Sequence, residues 1–304
     1  MPNAPLVIVN PAAGGGRAAR LVPWLRERLD HRSEARFEVT RAPGDAERLA
    51  ASATDAGHDR VVAIGGDGTV QEVINGLLDG NGPSSLGVVP LGSGNDLARS
   101  LGLPTEAAEA WRVAVGSHAR PLDVARARNG DGAGRWFASA GGIGFDAQVA
   151  AAMTGRGRWQ LGRVGYLLTT LSELRRFSNR RVELVVDGVA SAHDVLLVAI
   201  ANGAFYGGGM RIAPSARPDD GILDVCVVGD ISRMTALRQL PNLYRGTHVD
   251  HPQVTLLSGR SIEVSGERGT RIHLDGEPFG GLPVSVTLSA GLLEVAAPVS
   301  AAYA

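Results

Sequence analysis

The run Gly65-Gly66-Asp67-Gly68-Thr69 constrains the chain more than any other stretch. It follows Val61-Val62-Ala63-Ile64, a short β-branched apolar run that reads as a buried strand. Behind it, Val70 to Leu78 spaces its apolar residues at the period of a helix. Strand, glycine turn and helix start are therefore predicted in that order. Glycines at such a corner let backbone N–H groups approach an anion, and the helix N-terminus behind them adds partial positive charge. Thr69 adds a hydroxyl. Asp67 sits oddly against phosphate alone; its carboxylate suits a metal ion, ordered water or a hydroxyl. The same letters also suit a plain βα corner in which glycine only tightens the turn.

The flanking segments repeat the pattern. Leu6–Val9 is read as a strand that runs into Asn10-Pro11-Ala12-Ala13-Gly14-Gly15-Gly16, then a helix to about Leu29. Phe37–Thr40 is read as a second strand, and Ala46–Ala56 as a helix behind Asp45 as N-cap. Leu86–Pro90 is a fourth strand, ending in Leu91-Gly92-Ser93-Gly94-Asn95-Asp96 and a short helix. Thr105–Val115 follows as a helix with Thr105 as N-cap. Strict alternation of strand and helix argues for a parallel sheet covered on both faces. Three glycine-rich loops then lie at the carboxyl ends of its strands, where open α/β sheets bind ligands. Gly14-x-Gly16-x-x-Ala19 formally matches a dinucleotide fingerprint, but Asn-Pro intervenes after the strand, so it carries little weight.

After about Pro121 the texture changes to short strands: Val124–Arg128, Trp136–Ala140, Val182–Val186, Val195–Ala201, Leu223–Val228, Ile262–Val264 and Val284–Thr287. Predominantly antiparallel β is expected, interrupted by helices over Trp159–Phe177 and Ser232–Tyr244. The first of these places Leu161, Val164, Leu168, Leu171 and Leu174 at helical spacing among several arginines. It suits a core-packing helix with a solvated arginine face, or an interfacial helix on anionic lipid.

Two acidic turns carry further chemistry. Leu274-Asp275-Gly276-Glu277 ends a strand with two carboxylates, able to take a proton from a hydroxyl nucleophile or to form an ordinary Asp-Gly turn. Arg217-Pro218-Asp219-Asp220-Gly221-Ile222 suits a hard cation, or is a solvated turn. His248 and His251 lie in a Pro-bounded loop with no evident partner for a metal.

Composition closes off several classes. Among 304 residues all 30 basic ones are arginine, so a Walker A loop, which needs lysine, is excluded. A single cysteine, Cys226, excludes an internal disulfide. The net charge of −1 gives no global attraction for nucleic acid, and no partner of that kind is expected. No signal peptide and no apolar run long enough to span a bilayer is visible, which reads as a cytoplasmic chain.

Taken in order, Asn10-Pro11-x-x-Gly14, Gly65–Thr69 with Glu72 and Asn75, Gly92–Asp96, Asp219–Gly221 and Leu274–Glu277 resemble the soluble bacterial diacylglycerol kinase and lipid kinase family. That family is related to sphingosine kinases and more distantly to NAD kinases and phosphofructokinases. The likeness covers nearly the full length. It implies an α/β plus β architecture: a nucleotide-binding domain over residues 1–121, joined by 290–304, and an antiparallel β-sandwich over 122–289, with the cleft between them. It implies that Asn10, Pro11, Gly14, Thr40, Gly65, Gly66, Asp67, Gly68, Thr69, Glu72, Asn75, Ser93, Gly94 and Asn95 hold ATP. Ser93 stands where many members have threonine. Asp275 would be the general base, Glu277 would sit beside the nucleotide, and Asp67 would complete the catalytic set. Asp220, with the carbonyls of Arg217 and Ile222, would hold Mg²⁺. Arg17 is a candidate for supplying the charge that lysine lacks. The implied activity is phosphorylation of a lipid hydroxyl, diacylglycerol foremost. Phosphatidylglycerol or a sphingoid base is the alternative acceptor, and a nucleotide-binding regulator without turnover is the alternative class. Peripheral contact with the inner membrane face and a possible homodimer are the expected associations.

Overall fold

The computed structural model describes residues 4–29, 35–80, 82, 84–154, 162–175 and 177–299. The chain forms two compact units, Met1–Leu122 with Gly291–Ala304, and Asp123–Ala290.

The first unit is built on four parallel strands: β1 (Leu6–Val9), β2 (Arg36–Val39), β3 (Arg60–Gly65) and β4 (Ser85–Pro90). Their order is β4-β3-β1-β2, and Val295 adds a parallel pairing beside Leu86. The β-branched runs are buried on both faces, which is why they read as continuous apolar stretches rather than alternating ones. Val7, Val9, Val62, Ile64 and Val89 pack with Ala18 of α1 (Ala13–Leu29) and Ala110, Trp111 and Ala114 of α5 (Ala107–Ala114). Helices α2 (Asp45–Asp55) and α3 (Asp67–Asp79) pack on each other and on β1 and β3. Because the strands are parallel and in register, the loops after β1, β2, β3 and β4 leave the sheet at one edge. The short helix α4 (Asp96–Ser100) starts from the last of them.

Two expected caps differ. Gly44, not Asp45, is the N-cap of α2, with φ 85°. Asp45 turns back instead, and its Oδ2 accepts the amides of Arg41 and Ala42 at 2.7 and 3.2 Å. Those amides, Arg41 first, hold its carboxyl below the usual range. At α5 the cap is Glu106, not Thr105; its two oxygens accept the amides of Ala108 and Glu109. A longer carboxylate one residue nearer the helix reaches two orphan donors, where the threonine hydroxyl could reach one.

The second unit is antiparallel throughout. It holds most of β5 (Ala119–Asn129), β6 (Gly134–Phe137), β7 (Ala140–Gly144), β8 (Arg180–Val186), β9 (Val189–Ala201), β10 (Leu223–Gly229), β11 (Val254–Gly259), β12 (Ser261–Gly266), β13 (Arg271–Leu274), β14 (Glu277–Gly281) and the first part of β15 (Val284–Ala296). Ile143, Val198, Ile200, Val225, Val227 and Leu274 meet Leu184, Ile262, Val264, Val284 and Val286 in one core. The residues between them, Leu197, Ala199 and Cys226, face Phe145, Val149 and Met153 of α6 (Phe145–Thr154), Leu174 of α7 (Gly162–Leu174) and Leu237 and Leu243 of α8 (Arg233–Arg245). Ser232 caps α8 by accepting the amide of Thr235. Burial pushes the Cys226 thiol up to about 12, so it is inert packing.

Three elements here depart from the sequence patterning. The strand expected over Trp136–Ala140 is two strands, β6 and β7, broken at Ala138-Ser139. The break frees three amides whose use is described below. Helix α6 and strand β11 were not foreseen. The helix expected over Trp159–Phe177 begins outside the described residues, as does Leu161; within it Leu168 is 55% exposed, while Thr169, Thr170 and Glu173 are buried. β15 continues through Gly291, at φ 59°, and carries the chain from one unit into the other, as the expected return of residues 290–304 to the first unit requires.

Candidate active site

The N-terminus of α3 is the hub of the first unit. Three of its polar side chains each reach a different loop of the sheet edge. Thr69 Oγ1 accepts from Asn10 Nδ2 at 3.0 Å, which ties it to the loop after β1. Asn10 Oδ1 in turn accepts the amide of Ala12. Asp67 reaches the loop after β4: Oδ2 accepts the amide of Asn95 and Oδ1 that of Asp96, both at 2.7 Å. Glu72 reaches the loop after β2: its oxygens accept the amides of Gly44 and Ala46 at 2.9 and 3.1 Å.

Two of these partners were not foreseeable from spacing. Asp67 meets the backbone amides of Asn95 and Asp96. Burial pushes its carboxyl up, and the Asp96 and Asn95 amides oppose that shift. Glu72 supplies α2 with the acceptor that its glycine N-cap cannot. Glu72→Ala is expected to destabilise the chain by about 1–2 kcal/mol, the cost of a lost cap, read as a lower thermal midpoint.

The remaining first-unit residues line the same edge. Gly14, Gly15 and Gly16 take three successive left-handed conformations, at φ 62°, 67° and 86°, before α1 becomes regular. Side chains on Gly15 and Gly16 would project into open space, so the loop surface there is bare backbone, as a phosphate cradle needs. Arg17 Nε donates to Gly14 O at 3.1 Å and borders this loop. The loop after β4 is closed on itself: Gly92 N–H donates to Asn95 Oδ1 at 2.8 Å, and Asn95 Nδ2 returns to Gly92 O at 3.0 Å. Ser93 is exposed and Gly94 half-buried at its tip. Gly65, Gly66 and Gly68 form the corner, and half-buried Thr40 holds β2 to β1 through its amide on Val9 O. Pro11 lies beside Asn10. Asn75 is buried one turn along α3, bonding Gln71 O at 2.9 Å, and is set back from the edge.

In the second unit Asp275 sits at the turn between β13 and β14, with φ 49°. Its Oδ1 accepts the amides of Ser139 and Ala140, and Oδ2 that of Ala138, at 2.9–3.0 Å. The β6–β7 break is what offers three convergent N–H groups. Two amides converge on Oδ1 and one on Oδ2, which fixes the plane of the carboxylate. Glu277 is exposed at the start of β14.

The turn 217–222 is held from behind. Asp123 Oδ2 accepts the Gly221 amide, at 2.6 Å, and Arg260 Nε donates to Gly221 O at 2.9 Å. Asp220 Oδ1 accepts the Ile222 amide, and Arg217 Nη2 lies 3.5 Å from Asp219. Burial first, then the charges of Asp123 and Asp219, push the Asp220 carboxyl up; burial and Asp220 do the same to Asp224. Like charges that raise one another leave a negative potential at this turn, and among the described residues no group of three or more His, Cys, Asp or Glu side chains gathers as a metal site would. Asp123 was not singled out in the sequence; it stands alone in a strand and meets the turn only in three dimensions.

Comparison with known proteins follows the same division. The description "Diacylglycerol kinase catalytic domain" matches residues 4–127, and "YegS C-terminal NAD kinase beta sandwich-like domain" matches 139–297. A diacylglycerol kinase of Mycobacterium tuberculosis is 32% identical over 294 residues, covering 96% of this chain and 94% of that protein. The chain belongs to the diacylglycerol kinase and YegS-like lipid kinase family. A protein named "Probable lipid kinase YegS-like" from Pseudomonas fluorescens is 34% identical over 266 residues, covering 87% of this chain and 86% of that one. A solved structure of a diacylglycerol kinase from Bacillus anthracis str. Sterne aligns with a TM-score of 0.77 at 28% identity, covering 98% of each chain. The protein is thus a lipid kinase with a parallel α/β unit and an antiparallel β-sandwich-like unit. Membership in a kinase family implies ATP as the phosphoryl donor. Among the described residues no helix is long and apolar enough to cross a membrane.

Proposed function

We propose that this lipid kinase transfers the γ-phosphoryl group of ATP to the free hydroxyl of diacylglycerol, giving phosphatidic acid, with Asp275 as general base. The observation that carries the reading is the Asp275 carboxylate, held at the β13–β14 turn and oriented by three convergent amides. ATP supplies the phosphoryl group and leaves as ADP. The chain supplies position and charge, which is most of what phosphoryl transfer requires. Backbone amides at Gly14–Gly16 and the α3 N-terminus receive the phosphates, with Asn10, Thr69 and Ser93 as side-chain donors. As the lipid oxygen attacks phosphorus, its proton passes to Asp275 Oδ2, and the bond from phosphorus to the β-phosphate oxygen breaks. Glu277 borders the nucleotide. Asp220, with the Arg217 and Ile222 carbonyls, would hold Mg²⁺, whose charge would offset that of the acidic turn. Since the acceptor is a membrane lipid, the enzyme works at a membrane surface.

The test for the acceptor is a competition panel of diacylglycerol, phosphatidylglycerol and sphingosine in mixed micelles, with products separated by chromatography. Diacylglycerol is expected to have the highest kcat/KM. A higher value for either rival would transfer the assignment to it, and ATP binding without any labelled lipid would leave a regulator. For the metal, Asp220→Asn is expected to remove most of the thermal stabilisation that Mg²⁺ gives the unaltered chain. An equal Mg²⁺ shift in both would place the ion elsewhere.

A further inference from the structure

The strand that ends at Asp275 carries a second group aimed at the same turn. His273 is 4% exposed. Its Nδ1 lies 3.2 Å from the Gly276 nitrogen and accepts that N–H. A ring nitrogen that accepts an N–H has no proton of its own, so the imidazole proton is on Nε2. Nε2 faces Oδ2 of Asp146 at 3.4 Å, and that oxygen has no nearer hydrogen-bond partner. Asp146 stands in the first turn of α6, and its Oδ1 accepts the Ala147 amide at 2.8 Å. The Tyr206 ring lies over the imidazole, centroids 6.3 Å apart and planes 17° from parallel. An apolar cavity of about 70 Å³ borders Asp146 and Tyr206, so the pair has a dry surround. β7 leaves room for it by placing Gly142 opposite His273; a Cβ there would overlap both Asp146 Oδ2 and His273 Nε2.

The turn needs holding. Asp275 and Gly276 are both left-handed, at φ 49° and 88°, as in the tight hairpin turn that favours Asp-Gly. A non-glycine residue in that conformation persists only when its surroundings fix it. The carboxylate is fixed by Ala138–Ala140, and the peptide after it by His273.

We propose that His273, kept in its Nε2-protonated form by Asp146, latches the Asp275–Gly276 turn and so sets the aim of the base. His273 and Asp146 are positioning residues, and their kinetic role rests on the kinase reading above. Asparagine at 273 places an amide oxygen near the Nδ1 position and keeps the latch to Gly276. Glutamine reaches toward Asp146 but leaves Gly276 without its acceptor. His273→Gln and Gly142→Ala are therefore expected to lower kcat about tenfold or more, with KM for ATP within about twofold, because a misaimed base costs the chemical step and not nucleotide binding. His273→Asn is expected to stay within about threefold of the unaltered enzyme. Equal losses in His273→Asn and His273→Gln, or a loss confined to KM, would overturn the proposal.

A second readout does not depend on turnover. Nitrogen-15 NMR of the unaltered chain is expected to show Nε2 protonated and Nδ1 bare, with slow exchange of the Gly276 amide that survives in His273→Asn and is lost in His273→Gln. A proton on Nδ1 would overturn the latch itself. If the unaltered chain phosphorylates no lipid while these NMR signatures appear, the kinase reading fails and the latch stands as a structural device.

Discussion

Asp275→Asn is expected to lower kcat for lipid phosphorylation by about 10²–10⁴, the range of a lost general base. The change is nearly isosteric, yet it acts twice. It removes the lone pair that receives the hydroxyl proton. It also turns one oxygen into an NH₂ group that faces N–H donors at Ala138–Ala140, where three amides now find acceptors. A buried donor facing a donor costs about 1–3 kcal/mol, so the turn itself should loosen. KM for ATP is expected to change little, because the loops that receive the phosphates belong to the other unit. Steady-state kinetics at saturating lipid read both quantities. A kcat within tenfold of the unaltered enzyme would remove Asp275 from the chemistry.

The second large effect is expected at Asp67, through a different route. Its carboxylate joins the α3 corner to the loop after β4 by two hydrogen bonds of 2.7 Å. Bonds to a charged group contribute about 1.5–3 kcal/mol each. Asp67→Asn keeps one acceptor and sets a donor against the second amide. The loop carrying Ser93, Gly94 and Asn95 should lose its fixed position, and kcat/KM for ATP should fall by about 10²-fold or more, mostly in KM. Titration of nucleotide binding checks this without any lipid present. Unchanged nucleotide affinity would mean that the two loops do not need each other to hold ATP.

These two carboxylates show which parts of the molecule were legible in the sequence. Glycine corners after buried β-branched runs announce themselves locally, so the parallel sheet and the edge from which its loops leave could be read directly. The Asp-Gly turn at 275 was visible for the same reason. Its partners were not: Ala138, Ser139 and Ala140 contribute only backbone, and nothing in their side chains marks three amides left free by a strand break. Asp67 was seen, but its contacts lie 28 and 29 residues away. Glu72 reads from the sequence only as a nucleotide contact, because the glycine N-cap that it serves at α2 lies 28 residues away. Asp146 and His273 were missed because each alone looks like an ordinary core residue. Only the β7–β13 register, with Gly142 opposite His273, brings them together.

The central claim is transfer of phosphate from ATP to a lipid hydroxyl, and its most direct test is one incubation. The unaltered chain, γ-labelled ATP, Mg²⁺ and diacylglycerol in mixed micelles are combined, and the lipid and aqueous products are resolved. Label in phosphatidic acid, rising in step with ADP, is the predicted result. Label released only as inorganic phosphate, or no label in any lipid offered, would contradict the account.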